Sequence, residues 1–418
     1  MPFWAMVRAA MRLLIADKLH PRAVEELRTL PVDVLYEPEL TKETLESKIP
    51  GVGILVVRSK EVTRKAIESA RQLNLIVRAG AETSTIDVKA ASERGIYVAN
   101  CPGKNASAVA ELVFGALINL DRRIPDAVAS LRAGRWERLE YGKAEGLYGK
   151  TIGIAGLGAI GREVAARAKA FGLHPIGWSR SLNATKAGEL GIGHAHTLEE
   201  LASKSDILTL HLALNDRTRQ IVGRRIFDLL PKRAMFVNCA RPDLVDYEAM
   251  RDAVVNRGLR AAIDVIPNEP RGKKEISPEL FNLTTPSATG GFLYATPHIA
   301  ASTDQAQLAI ATETVRVIRS FLLEGTVPNV QNVMNLSNAR FQMVIRMLDK
   351  VGTFANVLAV IKRHGINVEE VTNTVFEGGS ASCAKLRIVS RPSEACLHEI
   401  RAFEEVLHVD IVTLPNLA

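Results

Sequence analysis

Three polar side chains, far apart along the chain, have the makings of an oriented acid–base pair beside an anion clamp. Asn238-Cys239-Ala240-Arg241 sets an arginine just past an apolar run that reads as a strand. Asp264-Val265-Ile266-Pro267-Asn268-Glu269-Pro270 sets a carboxylate in a loop beyond another such run. Thr296-Pro297-His298-Ile299-Ala300 sets a histidine ahead of a long helical pattern. Singly, each has a plain structural reading: Arg241 as an ion-pair partner, Glu269 as a solvated loop charge, His298 as a satisfied histidine. Together they suggest proton transfer beside a bound carboxylate. An imidazole changes charge near neutral pH, and a neighbouring carboxylate stabilises the charged ring. A guanidinium stays charged and can hold a carboxylate by two parallel hydrogen bonds. A reaction that builds an alkoxide from a carbonyl needs such a proton donor, and a positioned one contributes roughly 10²–10⁴ in rate.

The reaction partner is written in Thr151 to Arg180. Thr151-Ile152-Gly153-Ile154-Ala155 is a short apolar run suited to a buried parallel strand. Gly156-Leu157-Gly158-Ala159-Ile160-Gly161 follows, then a helical pattern from Arg162 to Phe171, then a second strand, His174 to Trp178. In this βαβ context Gly156 permits the tight turn, Gly158 leaves bare backbone for a pyrophosphate, and Gly161 lets helix and strand approach. The helix N-terminus then offers free N–H groups and a partial positive charge to phosphate, with Ala159 and Ile160 of the turn also expected at the cofactor. The expected cofactor is therefore NAD or NADP. An NAD-preferring site places Asp or Glu at the end of the second strand to hold the ribose 2′-hydroxyl. This chain has Ser179-Arg180-Ser181 there and no carboxylate until Glu189, which favours acceptance of NADP.

The elements that must position these residues follow from periodicity. From Leu13 to Asn100 short strands alternate with amphipathic helices, the pattern of a doubly wound parallel sheet. Ala106 to Ala133 reads as one long helix leading toward the nucleotide unit. After that unit come Thr197-Leu198-Glu199-Glu200, a capping box, and strands at Ile207–Leu210, Met235–Asn238 and Ala261–Val265. Pro267 to Gly291 reads as a long loop, Thr303 to Glu324 as a second long helix, and Thr326 to Ala339 as a linker. Phe341 to Ala418 reads as βαββαβ, a ferredoxin-like order, with Gly378-Gly379 turning its middle hairpin. The expected fold is thus α/β, with two doubly wound Rossmann-like domains and a C-terminal ferredoxin-like unit. Residues 1–107 with 298–330 would form the substrate domain and 108–297 the dinucleotide domain. Residues 331–340 would link them to a unit at 341–418.

Composition bounds the classes. The 418 residues suit two or three domains, with ordinary globular proportions of 47% hydrophobic and 24% charged residues. The net charge of +7 is dispersed, which favours a small anionic substrate or cofactor over nucleic acid. Cys101, Cys239, Cys383 and Cys396 lack metal or redox spacing, so no metal is expected and a reduced, cytoplasmic setting is. No apolar run approaches a membrane span. Met1 to Met11 reads as an extension ahead of the first strand rather than a secretory leader.

Ordered short motifs then carry a resemblance. They are Val56-Val57-Arg58-Ser59, Arg78-Ala79-Gly80, Ala110-Glu111-Leu112, Trp136-Glu137-Arg138, Tyr148-Gly149-Lys150-Thr151, Gly156–Gly161, Ala240-Arg241, Asp264 with Glu269-Pro270, and Thr296-Pro297-His298-Ile299-Ala300. Over most of residues 12 to 330 the chain resembles the D-isomer-specific 2-hydroxyacid dehydrogenases. It is most similar to the branch that oxidises D-3-phosphoglycerate to 3-phosphohydroxypyruvate in L-serine biosynthesis. The resemblance implies that His298 exchanges the proton, Glu269 partners it, and Arg241 holds the substrate's carboxylate and carbonyl. It further implies cofactor contacts from His211, Cys239, Ala240, Asp264 and Ala300, and contacts to an anionic substrate from Arg58, Arg78, Ala79, Gly80 and Arg138. The C-terminal unit resembles an ACT domain, which implies a small-molecule effector near Asp349 and Asn367 and pairing between subunits, hence a homodimer or homotetramer. Met347 and Asp349 stand where serine-sensing relatives have His and Asn; only Asn367 matches. The chain also departs from the family at Gly80-Ala81-Glu82-Thr83-Ser84-Thr85, where relatives have Gly at Glu82 and an Asp-Asn pair at Ser84-Thr85, and at Pro242-Asp243, in place of Gly-Gly. A glutamate there could repel an anionic substrate. Two further readings therefore stand beside the first: an NADPH-dependent hydroxypyruvate or glyoxylate reductase, and a nucleotide-sensing regulator that has lost catalysis.

Overall fold

A computed structural model of the chain describes residues 11–270, 283, 286–334 and 337–415. The expected N-terminal extension and most of the expected 267–291 loop lie outside the described residues. The chain divides into two compact units, Met1–Asn332 and Val333–Ala418.

The first unit begins with β1 (Arg12–Ile15), β2 (Asp33–Tyr36), β3 (Val52–Val57), β4 (Leu75–Arg78) and β5 (Tyr97–Ala99). They form a parallel sheet of order β2-β1-β3-β4-β5. All six residues of β3 are buried because helices cover both faces of the sheet. Leu13, Ile15, Ile54 and Val56 face the helices Pro21–Arg28 and Asp304–Leu323. Leu14, Leu55, Val57 and Ile76 face the other way, onto Ala66 and Ile67 of the helix Arg64–Ser69. The period-two alternation of a strand thus sorts one continuous apolar run onto two cores.

The second sheet contains β6 (Thr151–Ala155), β7 (His174–Trp178), β8 (Gly193–His194), β9 (Ile207–Leu210), β10 (Met235–Asn238), β11 (Arg260–Ile263) and β12 (Phe292–Ala295). It is parallel throughout, in the order β12-β11-β10-β9-β6-β7-β8. The winding reverses between β6 and β9, as it does between β1 and β3 in the first sheet. Such switch points open a crevice at the carboxyl ends of the strands. Val109, Val113, Phe114 and Leu117 of the helix Ala106–Arg122 pack with Val164, Ala165 and Ala168 of the helix Ala159–Ala170 on one face of this sheet.

Several local expectations give way. The long helix from Ala106 to Ala133 is two helices, Ala106–Arg122 and Ile124–Arg132, because Arg123 adopts a left-handed φ of 51° and Pro125 follows within the first turn. Proline bars helical continuation through its missing N–H and its ring. The capping box is offset: Thr197 accepts from the Glu200 N–H, but Glu200 reaches the His196 N–H (2.7 Å) instead of that of Thr197. The strands β8 and β12 and the helix Ala184–Leu190 were not foreseen. The first part of the expected linker is tied back onto β5. Gln331 N donates to Val98 O (2.8 Å), Val98 N to Asn332 Oδ1 (2.9 Å), and Ala99 bridges to Val330.

The second unit holds β13 (Phe341–Leu348), the helix Thr353–Arg363, β14 (Val368–Val375), β15 (Ala381–Ile388), the helix Glu394–Arg401 and β16 (Val406–Thr413). Its antiparallel sheet runs β14-β15-β13-β16, the ferredoxin-like arrangement. Val357, Val360 and Ile361 and then Cys396, Leu397 and Ile400 pack its two helices on Met343, Ile345 and Leu386. Gly378 and Gly379 turn the β14–β15 hairpin with φ of 86° and 67°.

Candidate active site

In the first unit, a cavity of about 370 Å³ lies at the carboxyl ends of strands from both sheets. Arg58 follows β3, Arg78 ends β4, His211 follows β9, Arg241 stands three residues past β10, Asp264 follows β11, and His298 stands three residues past β12. Ala79, Gly80, Ile160, Cys239, Ala240 and Ala300 complete the expected residues that reach it. Arginine and histidine, 57 positions apart in sequence, therefore face one space.

Glu269 stands behind the histidine. Its Oε2 lies 2.7 Å from His298 Nδ1, and its Oε1 accepts from Ile266 N (3.3 Å). That leaves Nε2 as the ring nitrogen available to a substrate. His298 itself sits at φ 54°, a left-handed conformation that a non-glycine residue holds only when its surroundings enforce it. Asp264 does so. Its Oδ1 accepts from Thr296 Oγ1 (2.6 Å) and Ile299 N (2.8 Å), its Oδ2 from Ala300 N (2.8 Å), and its own carbonyl accepts from His298 N (2.8 Å). The buried aspartate that sequence reasoning reserved for the cofactor is, in this chain, the post on which the histidine loop is wound.

The second histidine of the cavity has a different character. His211 is partly buried; Nε2 meets Thr209 Oγ1 at 3.0 Å, while the buried Nδ1 has no partner among the described residues. Burial pushes its pKa down to about 3, so it stays neutral near pH 7 and offers no imidazolium. Burial likewise pushes the Cys239 thiol up to about 12, leaving it protonated and inert.

Three guanidiniums line the cavity, two from the first sheet and one from the second. Arg58 is aimed by Asp17, whose Oδ2 accepts from the backbone N–H groups of Arg58 (2.7 Å), Ser59 (2.9 Å) and Lys60 (3.0 Å). Burial raises the pKa of that carboxyl, but these bonds outweigh it and hold the group below its ordinary value. Arg78 lies against Gly80, where a Cβ would meet its Nη1 at 1.6 Å. Its Nε is buried without a partner among the described residues. Burial draws its pKa down, with the nearby charge of Glu82 opposing. Arg241 donates Nη1 to Ala240 O (2.5 Å), and its Nε and Nη2 both engage Glu82 Oε2, Nε at 3.2 Å. Asp17 and this Glu82 contact were missed by sequence reasoning, since each acts on a residue distant in the chain.

The dinucleotide turn has the stereochemistry its glycines promise. Gly156 has φ of 103°, and a Cβ on it would stand 2.4 Å from His211 O. A Cβ on Gly161 would stand 1.9 Å from Gly156 O, while at Gly158 it would meet nothing within 4 Å. The helix Ala159–Ala170 begins on Gly158, so its first N–H groups, including those of Ala159 and Ile160, are free of helical partners and open to an anion. The bare strip at Gly158 fits a pyrophosphate. Past β7, Arg180 is exposed and makes no hydrogen bond or ion pair to a described residue, Ser179 is partly buried, and Lys186 Nζ donates to Ser181 O (3.2 Å).

Of the expected residues of the first unit, Gly156, Gly158, Ala159, Gly161, Ser179, Arg180, Glu269 and Arg138 stand outside the cavity lining. Arg138 lies exposed on the short helix Arg138–Tyr141, away from the cavity lining. Asp349 and Asn367 are exposed in the second unit, where Asn367 Nδ2 donates to Glu369 Oε1 (2.9 Å).

A family model described as the NAD binding domain of D-isomer specific 2-hydroxyacid dehydrogenases matches residues 114–300. A D-3-phosphoglycerate dehydrogenase of Methanocaldococcus jannaschii is 39% identical over 328 residues, 78% of this chain and 60% of its own length. A hydroxypyruvate reductase of Thermotoga maritima is 37% identical over 312 residues, 74% of this chain and 98% of its own length. A solved NADPH-dependent glyoxylate/hydroxypyruvate reductase of Sinorhizobium meliloti, in complex with NADP and malonate, has a TM-score of 0.65 at 25% identity and covers 77% of this chain and 97% of its own. The chain spans 60% and 64% of the length of two D-3-phosphoglycerate dehydrogenases it matches. A full-length likeness to the Thermotoga reductase, together with the matching model, settles the grouping: this chain belongs to the D-isomer specific 2-hydroxyacid dehydrogenases.

Proposed function

We propose that this protein interconverts a D-2-hydroxy acid and its 2-keto acid with NAD(P), and that the pair is D-3-phosphoglycerate and 3-phosphohydroxypyruvate. The observation that carries the proposal is the Glu269–His298 pair, 2.7 Å apart, whose histidine lines one cavity with Arg241. Gly156–Gly161 would hold the pyrophosphate of the cofactor, whose nicotinamide would supply or accept the hydride. His298 Nε2 gives its proton to the oxygen of the reduced carbonyl, or takes it from the hydroxyl in the other direction. Glu269 fixes the ring through Nδ1, and Arg241 orients the carboxylate and carbonyl. Arg58 and Arg78 would meet a second anionic group on the substrate, and the Nε of Arg78, without a partner among the described residues, suits an acceptor supplied by a ligand.

A second reading, reduction of hydroxypyruvate or glyoxylate with NADPH, is favoured by one observation. The turn after β7 carries Arg180 and two serines and no carboxylate, with Lys186 of the next helix donating to Ser181 O, a setting that attracts a 2′-phosphate. The second unit would act as an ACT-type sensor and pairing domain in a homodimer or homotetramer, since the outer edges of β14 and β16 lack neighbours in its sheet. Four free cysteines suit a reducing cytoplasm. Steady-state assays of 3-phosphoglycerate, hydroxypyruvate and glyoxylate against both cofactors test these readings. We expect 3-phosphoglycerate turnover, with NADP accepted. His298→Ala should lower kcat at least about 10²-fold, within the range for a positioned acid–base group. Cofactor binding without turnover of any of the three substrates would sink the proposal and favour a regulator.

A further inference from the structure

Arg241 already holds a carboxylate. Its Nε and Nη2 meet Glu82 Oε2, with Nε at 3.2 Å, and its Nη1 is taken by Ala240 O (2.5 Å). The Nε–Nη2 edge is one of the two forks by which a guanidinium grips a carboxylate. Glu82 reaches it from the loop after β4, across the cavity from β10, and both residues line that cavity. The pair is partly open to solvent, with side-chain exposures of 39% for Glu82 and 33% for Arg241, so the glutamate has room to leave. Glu82 also lies close enough to Arg78 to oppose the effect of burial on that guanidinium.

We infer that Glu82 is an internal stand-in for the substrate's carboxylate: it occupies the Arg241 fork in the free enzyme and must be exchanged for the incoming anion. This rests on the reading of Arg241 as the carboxylate clamp. Substrate binding is then an exchange of one carboxylate for another on the same cation. The net gain is smaller than for a free arginine, and a released Glu82 carboxylate adds repulsion within reach of Arg58, Arg78 and Arg241 only if it stays near the ligand. The device sets affinity for the anion and leaves proton transfer at His298 to the separate Glu269 contact. Glu82 is accordingly a specificity-determining residue, acting on KM more than on kcat.

The test uses the full-length protein saturated with NADPH and oxalate as the probe, a planar dianion matching the carboxylate-and-carbonyl edge of a 2-keto acid. Calorimetric titration should show Glu82→Gln binding oxalate about five- to tenfold tighter than wild type, the scale of releasing one charge-assisted pair. In an Arg241→Gln background the same change should give no gain. Glu82→Ala provides a second variant should Gln retain a neutral hydrogen bond to Arg241. Unchanged or weaker oxalate binding in both variants would overturn the inference, because Glu82 would then be bracing Arg241. The outcome is separable from that of the proposed reaction: tighter oxalate binding with no turnover of any hydroxy acid would uphold the exchange and refute the proposed substrates. Normal turnover with no tightening would do the reverse.

Discussion

At the scale of single residues, two histidines line one cavity, and their surroundings assign them opposite duties. His298 is half exposed and backed by a carboxylate; His211 is partly buried, without a carboxylate partner among the described residues, and neutral because desolvation pushes it down to about 3. Only the first has a carboxylate on one ring nitrogen and leaves the other free for a substrate. Glu269→Gln should therefore lower kcat roughly 10²-fold, the scale of acid–base assistance. The melting temperature should hardly move, since both partners are substantially exposed and the loss strands no buried charge. Stopped-flow turnover beside thermal denaturation checks both halves, and a kcat near that of wild type would detach Glu269 from the chemistry. Arg241, Glu269 and His298 were legible in the sequence because a parallel sheet puts its chemistry just past strand ends, and strand ends can be read from apolar runs. Asp17 and Glu82 were not. Each acts on an arginine more than 40 positions away, and only the pairing of β1 with β3, or the approach of one sheet to the other, brings the partners together. Arg138 is placed by a motif of the resemblance and is exposed on a short helix, outside the lining of this cavity.

At the scale of elements, the glycines of the β6 turn do different jobs, and the stereochemistry separates them. A methyl group at Gly161 would collide with Gly156 O at 1.9 Å, whereas at Gly158 it would enter open space with an ordinary φ of −72°. Gly161→Ala must push the helix Ala159–Ala170 off β6 and should cost about 1–3 kcal/mol of stability, as overpacking does. It should weaken cofactor binding as well. Gly158→Ala should leave stability within about 0.5 kcal/mol but still weaken NADPH binding, because its methyl group would stand where the pyrophosphate is expected. Urea unfolding and fluorescence titration of NADPH distinguish the two. Equal stability losses would refute the division of labour. The strands and helices themselves were mostly legible from alternation and periodicity, and the exceptions have local causes. Pro125 breaks what apolar spacing alone presented as one helix. β8 spans two residues, too short for any period, and β12 is only four residues, Phe292 to Ala295. Pairing with β7 and β11 makes strands of them, and that is tertiary information.

At the scale of the first unit, the cleft depends on how the two sheets are joined, and one carboxylate stands at the joint. The chain leaves the first sheet after β5, through Lys104, to reach the second; it returns after β12 into the helix Asp304–Leu323 and then lays residues 329–332 back on β5. Glu313 of that helix ties the outgoing, returning and final segments together. It pairs with Lys104 Nζ (3.2 Å) and Arg316 Nη2 (2.5 Å) and accepts from Asn329 Nδ2 (2.6 Å). The bonds from Arg316, then those from Asn329 and Lys104, outweigh the opposing effect of burial and hold its pKa near about 2, against an ordinary 4.5. A carboxyl whose folded pKa is depressed stabilises the fold fully above its unfolded value, and that stability is lost as pH falls toward the folded value. Glu313→Gln should therefore cost about 2–3 kcal/mol at pH 7, since a tenfold change in an acid's ionisation constant is worth about 1.4 kcal/mol and solvent beside the two partly exposed cations screens some of it. More than half of that difference should be gone by about pH 3, when the wild-type side chain is already taking up protons on unfolding. Urea titrations of both proteins at pH 7, 4.5 and 3 measure the convergence. Because Lys104 and Asn329 lie on the segments joining or flanking the two sheets, the variant should also raise KM for the substrate in a cleft lined from both, with a smaller effect on NADPH affinity, whose glycine turn lies wholly within the second sheet. A constant stability gap across this pH range would show that Glu313 contributes by shape rather than charge, and the joint would then have to be sought in the apolar packing of Ile310, Val315 and Ile318 against β1 and β3.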